Sequence, residues 1–325
     1  MDIQQYFIYF IIITAFGILY SRWEKKYIDE DKDETTEHIR QFLLNRELTQ
    51  NIDIFAKPFL WIHVDSELNS RTWSSFNSRS SSEINKPYMF YTIKSIIKKC
   101  DKTFNVCLID DTSFSKLINN WTIDLQRVDK TLRDKIRAMA IGKLLYIYGG
   151  INVPASFLCK KNLKDMYYRN INDKGMFSCE KLDNTSYVTQ TRFLPNHNFI
   201  GCKRKNPIMK QYCKYIETLI SIDYTSCSDF NDTISKYLSD LVNDKRIGLV
   251  NGNLIGVKDN NNKVIKLEDL FNTGYIDIQE DSFGIYIPDR EISIRTHYNW
   301  FLTISLEDLL KSDMIICKYL LVANE

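Results

Sequence analysis

The sequence contains little glycine and little proline, 11 and 6 residues respectively in a chain of 325. This low content excludes a linker-rich or low-complexity protein. Basic and acidic residues nearly balance, 43 against 41, so the formal net charge is only +2. No basic stripe interleaved with aromatic residues occurs either. The charge pattern therefore argues against a nucleic-acid partner.

The chain also lacks the motifs GxSxG and HExxH, so it offers no support for a hydrolase. Its eight cysteines form no CxxC pair and no zinc-finger spacing. Four of them lie in or beside apolar runs, where a free thiol packs as a small hydrophobic side chain: Cys100, Cys107, Cys159 and Cys202. We predict reduced cysteines in the core of a cytosol-facing domain, with disulfides as the alternative.

A long uncharged apolar run is present near the N-terminus, from Tyr6 to Tyr20. With its flanking residues it reaches about 20 residues, enough to cross a bilayer as a helix. Basic residues follow it at Arg22, Lys25 and Lys26. The positive-inside rule then predicts a single-pass protein whose main domain faces the cytosol. We predict an uncleaved anchor that contacts the membrane through residues 6–23; a signal peptide or a buried first helix is the alternative.

Composition divides the chain into three predicted segments: an anchor at 1–26, a charged stalk at 27–51 and a folded domain at 52–325. Within the domain, continuous apolar runs at 59–64 and 104–109 are typical of buried parallel strands. Amphipathic helical patterns follow both runs. This alternation predicts an α/β domain with a mostly parallel sheet flanked by helices.

The predicted helices span 87–100, 113–121, 131–148 and 208–222. After residue 176 the alternation weakens. We predict strands there at 247–257 and 262–267, joined by a turn at 259–262.

The segment most informative for function is IGKLLYIYGGINVPASFLC, residues 141–159. A helix runs into Tyr148, Gly149 and Gly150 and then into a short strand. This order resembles the family 32 glycosyltransferases and related capsular-polysaccharide synthesis proteins, in which the YGG sequence precedes a metal-binding DXD motif. The resemblance implies a GT-A-like fold that binds a nucleotide sugar.

Other landmarks of that family occur in the same order between residues 55 and 303. They include an opening strand, a second strand that ends in two aspartates, an acceptor-side segment and a late His-x-x-Trp element. The resemblance implies a donor site formed by Trp61, His63, Asp110, Asp111, Gly149, Gly150, Pro154, Ser156, Asn198, His297 and Trp300.

The chain departs from the family at the residues that carry the chemistry. Pro154 and Ser156 occupy the DXD positions, and neither supplies a carboxylate for Mn²⁺ or Mg²⁺. Losses grouped at one site indicate abandoned catalysis.

The family's upstream Asp-x-x-Arg pair is also replaced, by Ala138 and Ile141. Asp134 and Arg137 occur one helical turn earlier, about 5–6 Å along the axis. We do not expect the pair to keep its family role at that distance.

Three other positions leave alternatives open. Asp110 and Asp111 either bind a metal at the sheet edge or form a strand-end turn that caps a helix; the turn is preferred. Asp111 and His297 are the weak metal-ligand candidates, and His297 is otherwise structural. We interpret His63 as a hydrogen-bonded core histidine.

Two functions follow from these observations. The preferred one is a membrane-anchored glycosyltransferase-like protein that has lost its DXD metal site and acts, without cofactor, as a binding or structural protein. Its partners are a nucleotide sugar or glycan, or proteins of a membrane or virion layer. The abundance of Asn, Ile, Lys and Tyr suggests an AT-rich genome, and a large DNA virus would be a natural source of such a protein. The alternative is an active glycosyltransferase with a non-standard donor site, using Mn²⁺ or Mg²⁺, or using Lys160 and Lys161 in place of the metal.

Overall fold

The computed structural model describes residues 54–64, 86–182, 193–222 and 227–324. The predicted anchor and stalk lie outside the described residues. Within the described ranges, no helix is both long and apolar enough to cross a membrane. Residues Phe55–Glu325 belong to one compact unit.

A six-stranded sheet forms the centre of this unit, with the strand order β2-β1-β3-β6-β5-β7. The strands β1, β2, β3, β5 and β7 are mutually parallel, and β6 is antiparallel to both of its neighbours. A second sheet pairs β4 with β8. The strands are β1 (Phe59–His63), β2 (Asn105–Ile109), β3 (Gly150–Asn152), β4 (Phe157–Cys159), β5 (Met176–Leu182), β6 (Phe193–Cys202), β7 (Gly248–Val250) and β8 (Gly284–Tyr286).

Helices cover both faces of the central sheet, so the predicted α/β class with a mostly parallel sheet is confirmed. Alternate residues of β1 show why the strand is apolar throughout. Leu60 and Ile62 join a core with the first and fourth helices, while Phe59 and Trp61 pack against Tyr148 on the third. The helices are α1 (Tyr88–Cys100), α2 (Phe114–Leu117), α3 (Lys130–Tyr148), α4 (Lys164–Lys174), α5 (Pro207–Ile222), α6 (Cys227–Asn243), α7 (Leu267–Phe271), α8 (Asp289–Ile294), α9 (Leu306–Lys311) and α10 (Ile315–Asn324).

Helix α3 matters most for the site, and both of its ends are determined by local chemistry. The Asp129 carboxylate accepts a hydrogen bond from Thr131 N at 2.9 Å and so caps the first turn. Gly149 ends the helix with a φ of 74°, a conformation that favours glycine. The chain then enters β3 directly.

A second apolar core lies in the C-terminal part of the unit. Helices α7 to α10 and β8 pack around Phe301, which contacts both Tyr88 and Phe271. This cluster holds the late part of the chain against α1.

Several predicted elements are shorter or different in the structure. The helix predicted at 113–121 covers only Phe114–Leu117. The strand predicted at 247–257 is limited to β7, because Asn251 caps a 3-10 turn at Gly252–Ile255. The predicted strand at 262–267 is wrong: the structure has only an isolated bridge between Lys258 and Val264.

The prediction of unpaired core cysteines is confirmed where the structure describes them. Seven cysteines are free and buried: Cys100, Cys107, Cys159, Cys179, Cys202, Cys213 and Cys317.

Candidate functional site

The carboxyl ends of β1, β2 and β3 meet at one edge of the sheet because these strands are parallel. His63 ends β1, Asp110 and Asp111 follow β2, and the loop 153–156 follows β3. Open α/β sheets place their ligands at this edge. The edge is therefore the candidate functional site.

The Asp111 carboxylate is the centre of a charged cluster at this edge. Its Oδ1 accepts hydrogen bonds from His63 Nε2 at 3.0 Å and from Arg137 Nε at 2.8 Å. Its Oδ2 accepts a third from Arg137 Nη2 at 2.6 Å. Arg137 thus binds the carboxylate through two nitrogens, the strongest geometry for such a pair.

Helix α3 places Arg137 over the end of β2, and Asp134 lies one turn earlier on the same helix. Arg137 Nη1 donates to Asp134 Oδ1 at 3.1 Å, so the guanidinium bridges two carboxylates. Only 11% of the Arg137 side chain and 15% of the Asp111 side chain are exposed. The offset pair Asp134 and Arg137 therefore belongs to the cluster around Asp111, although its position one turn early did not predict this.

His63 is held in this cluster from two sides. Its ring stacks on Phe114 with a centroid distance of 5.5 Å and an interplanar angle of 7°. Its Nε2 is hydrogen-bonded to Asp111 Oδ1. The predicted hydrogen bond of His63 is confirmed and its partner is Asp111, but the residue is half-buried at the end of β1 and does not lie in the core.

The electrostatics of Asp111 follow from these contacts. Burial raises its pKa, but the hydrogen bonds from His63 and Arg137 outweigh burial and hold the pKa well below its usual range. The group is therefore a carboxylate whose two oxygens are already occupied. Among the described residues, no three His, Cys, Asp or Glu side chains form a group that could hold a metal ion.

Asp110 has a different role from its neighbour. Its Oδ1 accepts hydrogen bonds from the Thr112 hydroxyl at 2.7 Å and from the Ser113 hydroxyl and amide at 2.7 and 3.0 Å. Burial raises the pKa of Asp110, but these hydrogen bonds lower it by more. The interpretation as a strand-end turn before a helix is confirmed for this residue.

The loop after β3, which occupies the DXD positions, is packed. Val153, Ala155 and Ser156 are buried, and Pro154 is half-buried. The Ala155 carbonyl accepts a hydrogen bond from Thr92 Oγ1 at 2.6 Å, and the Ser156 carbonyl accepts one from Ile287 N at 3.3 Å. The loop is thus joined to α1 and to the end of β8.

Trp61, Gly149 and Gly150 serve the packing beneath this edge. Trp61 is 1% exposed, and its indole Nε1 donates to the Gly149 carbonyl at 3.0 Å. Gly150 has a φ of 98°, and a Cβ there would lie 2.1 Å from the Phe59 carbonyl oxygen. These residues let β3 approach β1 closely. The Trp61 ring is buried and therefore cannot contact a bound sugar-nucleotide donor.

Asn198 is exposed, and its carbonyl accepts a hydrogen bond from Asn152 Nδ2 at 2.6 Å. It therefore lies beside the end of β3. His297 and Trp300, in contrast, belong to the C-terminal cluster, where His297 contacts Tyr298 and Trp300 contacts Phe271.

Lys160 and Lys161 follow β4 and contact the chain just before β8. Lys160 Nζ donates to Ser282 Oγ at 3.2 Å, and Lys161 Nζ lies 3.5 Å from Asp281. Burial and the neighbouring Lys161 charge lower the pKa of Lys160.

Sequence reasoning missed a group of buried polar side chains where β6 passes the end of β3. Asn152 and His197 are 3% and 7% exposed, and Asn152 Oδ1 and His197 Nδ1 have no hydrogen-bond partner among the described residues. Burial, with the charges of Lys181 and Arg290, holds the pKa of His197 well below its usual value, so its ring is neutral. Asn152 lies within the segment 141–159 and His197 directly precedes Asn198, but neither side chain matches a family landmark, so the sequence did not predict this group.

A pocket of about 320 Å³ opens beside Asp111. It lies in the segment between β2 and α3, where the sequence pattern predicts a helix over 113–121 and the structure has only the short helix α2. Its lining residues are Asp111, Thr112, Ser115, Trp121, Thr122, Ile123, Asp124, Leu125 and Gln126.

No protein-family model matches the chain, and no curated protein matches it at a significant level.

Proposed function

We propose that this chain is a membrane-anchored, glycosyltransferase-like protein whose GT-A-like domain no longer performs metal-dependent sugar transfer. It acts as a binding or structural protein, with a nucleotide sugar, a glycan or proteins of a membrane or virion layer as partners. The YGG segment and the ordered landmarks support the family. The mostly parallel sheet flanked by helices is compatible with it.

One observation carries the loss of transfer: the carboxylate at the sheet edge is already occupied. Arg137 and His63 use both oxygens of Asp111. A divalent cation would have to displace a two-nitrogen Arg contact and approach a guanidinium charge. Neither Pro154 nor Ser156 adds a carboxylate, and the loop that holds them is packed against α1 and the end of β8.

The anchor and the cytosolic orientation rest on the sequence alone, on the apolar run 6–20 and the basic residues after it. The alternative is an active enzyme with a non-standard donor site. It would need a metal site that uses neither Asp111 nor the loop 153–156, or a cationic group other than Arg137.

The test is a titration of the whole 325-residue chain, in detergent, with UDP-sugars and GDP-sugars. Calorimetry and sugar-nucleotide hydrolysis are measured with and without Mn²⁺. We expect no metal-dependent binding and no hydrolysis. Hydrolysis or Mn²⁺-dependent binding that disappears in Asp111→Asn would establish the enzyme and overturn the proposal. Metal-independent binding would support a binding role, and binding to none of the donors would favour a structural one.

A further inference from the structure

The pocket beside Asp111 differs in chemistry from the charged cluster next to it. One aromatic side chain, two carboxylates and several hydroxyl or amide groups line it, together with aliphatic side chains. Its volume of about 320 Å³ lies at the lower end of the range in which small ligands bind. The pocket is therefore large enough for a small ring, and too small for an extended ligand to be enclosed.

The aromatic side chain is Trp121, and its ring is fixed in place. The indole Nε1 donates to the Ile123 carbonyl at 2.8 Å. The ring packs against Phe114 at a centroid distance of 5.7 Å, and Phe114 stacks in turn on His63. A half-buried, pre-oriented indole provides a flat apolar surface at low entropic cost.

The lining of the pocket offers an anion no cationic partner. Its described lining residues include Asp111 and Asp124 and no lysine or arginine. Both carboxylates are paired with guanidinium groups, Asp111 with Arg137 and Asp124 with Arg127 at 3.1 Å. A nucleoside diphosphate would therefore lose hydration here without gaining a cationic partner, which is unfavourable.

A neutral saccharide satisfies all of these features. The C–H face of a sugar ring is apolar and packs on an indole, while its hydroxyl groups donate to carboxylate and amide oxygens. The exposed Thr122 and Gln126 supply such acceptors around the pocket. The Asp124 carboxylate accepts from Gln126 N and pairs with Arg127, but its side chain is 54% exposed and can accept further hydrogen bonds. The described pocket lining contains several hydrogen-bond-accepting side chains and no cationic one. Such a lining suits a ligand whose hydroxyl groups donate hydrogen bonds.

We propose that this pocket binds a neutral saccharide ring, stacked on Trp121 and hydrogen-bonded by Asp124 and Gln126. The inference rests on the proposed function, which expects a sugar-containing ligand, and deepens it by selecting a glycan over a nucleotide sugar. It makes the segment between β2 and α3 the ligand-binding part of the molecule. The charged cluster around Asp111 then supports the wall of the pocket.

The experiment uses the whole chain and a panel of methyl glycosides of glucose, galactose, mannose and N-acetylglucosamine, with their disaccharides. Saturation-transfer NMR detects binding, and calorimetry measures it. We expect at least one neutral glycoside to bind, Trp121→Ala to weaken it at least tenfold, and Trp121→Phe to retain part of it. Tyr275→Ala, a change of an exposed aromatic side chain between α7 and β8, is the control and leaves binding unchanged.

Because Trp121 packs on Phe114, its loss could perturb folding, and Gln126→Ala supplies a second test at an exposed position. We expect this variant to melt like the parent chain and to bind the same glycoside several-fold more weakly. Absence of saturation transfer from every glycoside, or binding that neither substitution changes, would overturn the inference.

Uridine, UDP and UDP-glucose are the remaining arms of the experiment. Binding of these ligands without any glycoside binding would overturn the saccharide pocket and leave the proposed function standing. Mn²⁺-dependent hydrolysis of UDP-glucose would overturn the proposed function, while glycoside binding at Trp121 would remain a separate result.

Discussion

The turn after β2 and the loop after β3 leave the same edge of the sheet. The turn contains a charged side chain paired with an arginine, and the loop contains no charged side chain. In the turn, Asp111 keeps its carboxylate, which pairs with the Arg137 guanidinium and is hydrogen-bonded to His63. In the loop, Pro154 and Ser156 carry no charge, and buried contacts hold the chain in place. One segment is stabilised by ion pairs and the other by packing.

The two segments follow strands on either side of β1, and each lacks a free cation ligand for a different reason. In the turn the Asp111 carboxylate is occupied, and in the loop Pro154 and Ser156 carry no carboxylate. Polar side chains of the pocket between β2 and α3 lie at the surface beside the turn. On this comparison the stability of the loop depends on packing and that of the turn on charge.

The largest expected effect is that of Gly150→Ala, where β3 begins. A Cβ would overlap the Phe59 carbonyl at 2.1 Å, and the φ of 98° is strained for alanine. We expect the free energy of unfolding to fall by about 4 kcal/mol, measured by urea denaturation. Gly274→Ala is the control, since nothing lies within 4 Å of its Cβ position. Equal stability of the two variants would refute close packing as the basis of this strand.

Arg137→Ala tests the charged side of the comparison. Removal of the guanidinium leaves Asp111 largely buried without its main partner, so we expect a loss of about 3 kcal/mol in the free energy of unfolding. Arg127→Ala removes an exposed pair with Asp124, at 87% and 54% side-chain exposure, and costs about 0.5 kcal/mol or less. Similar losses in the two variants would contradict a special role for the Asp111 cluster.

Ser156→Asp asks whether the packed loop accepts the charge that the DXD motif would require. Ser156 is only 4% exposed, so a carboxylate there costs about 2 kcal/mol in chain stability. Pro154→Asp, at the half-buried position two residues earlier, is expected to cost less than half of that. Thermal or urea unfolding of the two variants measures the difference. A stable Ser156→Asp variant that binds Mn²⁺ would show that the loop can open into a site.

The smallest effect is the pH dependence that Asp111 contributes. Its pKa is lower in the folded chain than in the unfolded chain, where it is about 3.9. The stabilisation is therefore complete above that value and is lost as the pH falls below about 4 towards the folded pKa. The stability difference between the parent chain and Asp111→Asn should narrow by about 1 kcal/mol on acidification. Asp110 also has a lowered pKa but is present in both chains, so it cancels. A difference that stays constant with pH would show that Asp111 is not a paired carboxylate.

Much of the first half of the fold followed from local pattern. The runs 59–64 and 104–109 and the helix pattern at 131–148 correspond to β1, β2 and α3. A continuous apolar run is expected of β1, which is buried on both faces, whereas β2 is an edge strand in which Leu108 is 50% exposed, so its predicted full burial is wrong. The secondary structure of the later half was predicted less accurately. β6 carries Asn196 and His197 inside the core, and buried polar residues interrupt the apolar pattern that marks a strand.

For the site, the sequence identified Asp110 and Asp111 at the sheet edge and the missing carboxylates at Pro154 and Ser156. It did not identify Arg137 as the partner of Asp111, 26 positions away. That contact depends on where α3 crosses the sheet. The helical pattern of a sequence predicts that a helix forms, but it does not predict the helix's position relative to the strands.

The chain's residues alone determined the strand–helix alternation, the glycine turn after α3 and the lack of DXD carboxylates, because each depends on neighbours in sequence. Tertiary structure decided the rest. It brought His63, Asp111 and Arg137 together from two strands and a helix, and it enclosed a pocket around Trp121. Charge pairing and cavity shape depend on distances between elements, and no local pattern encodes those distances.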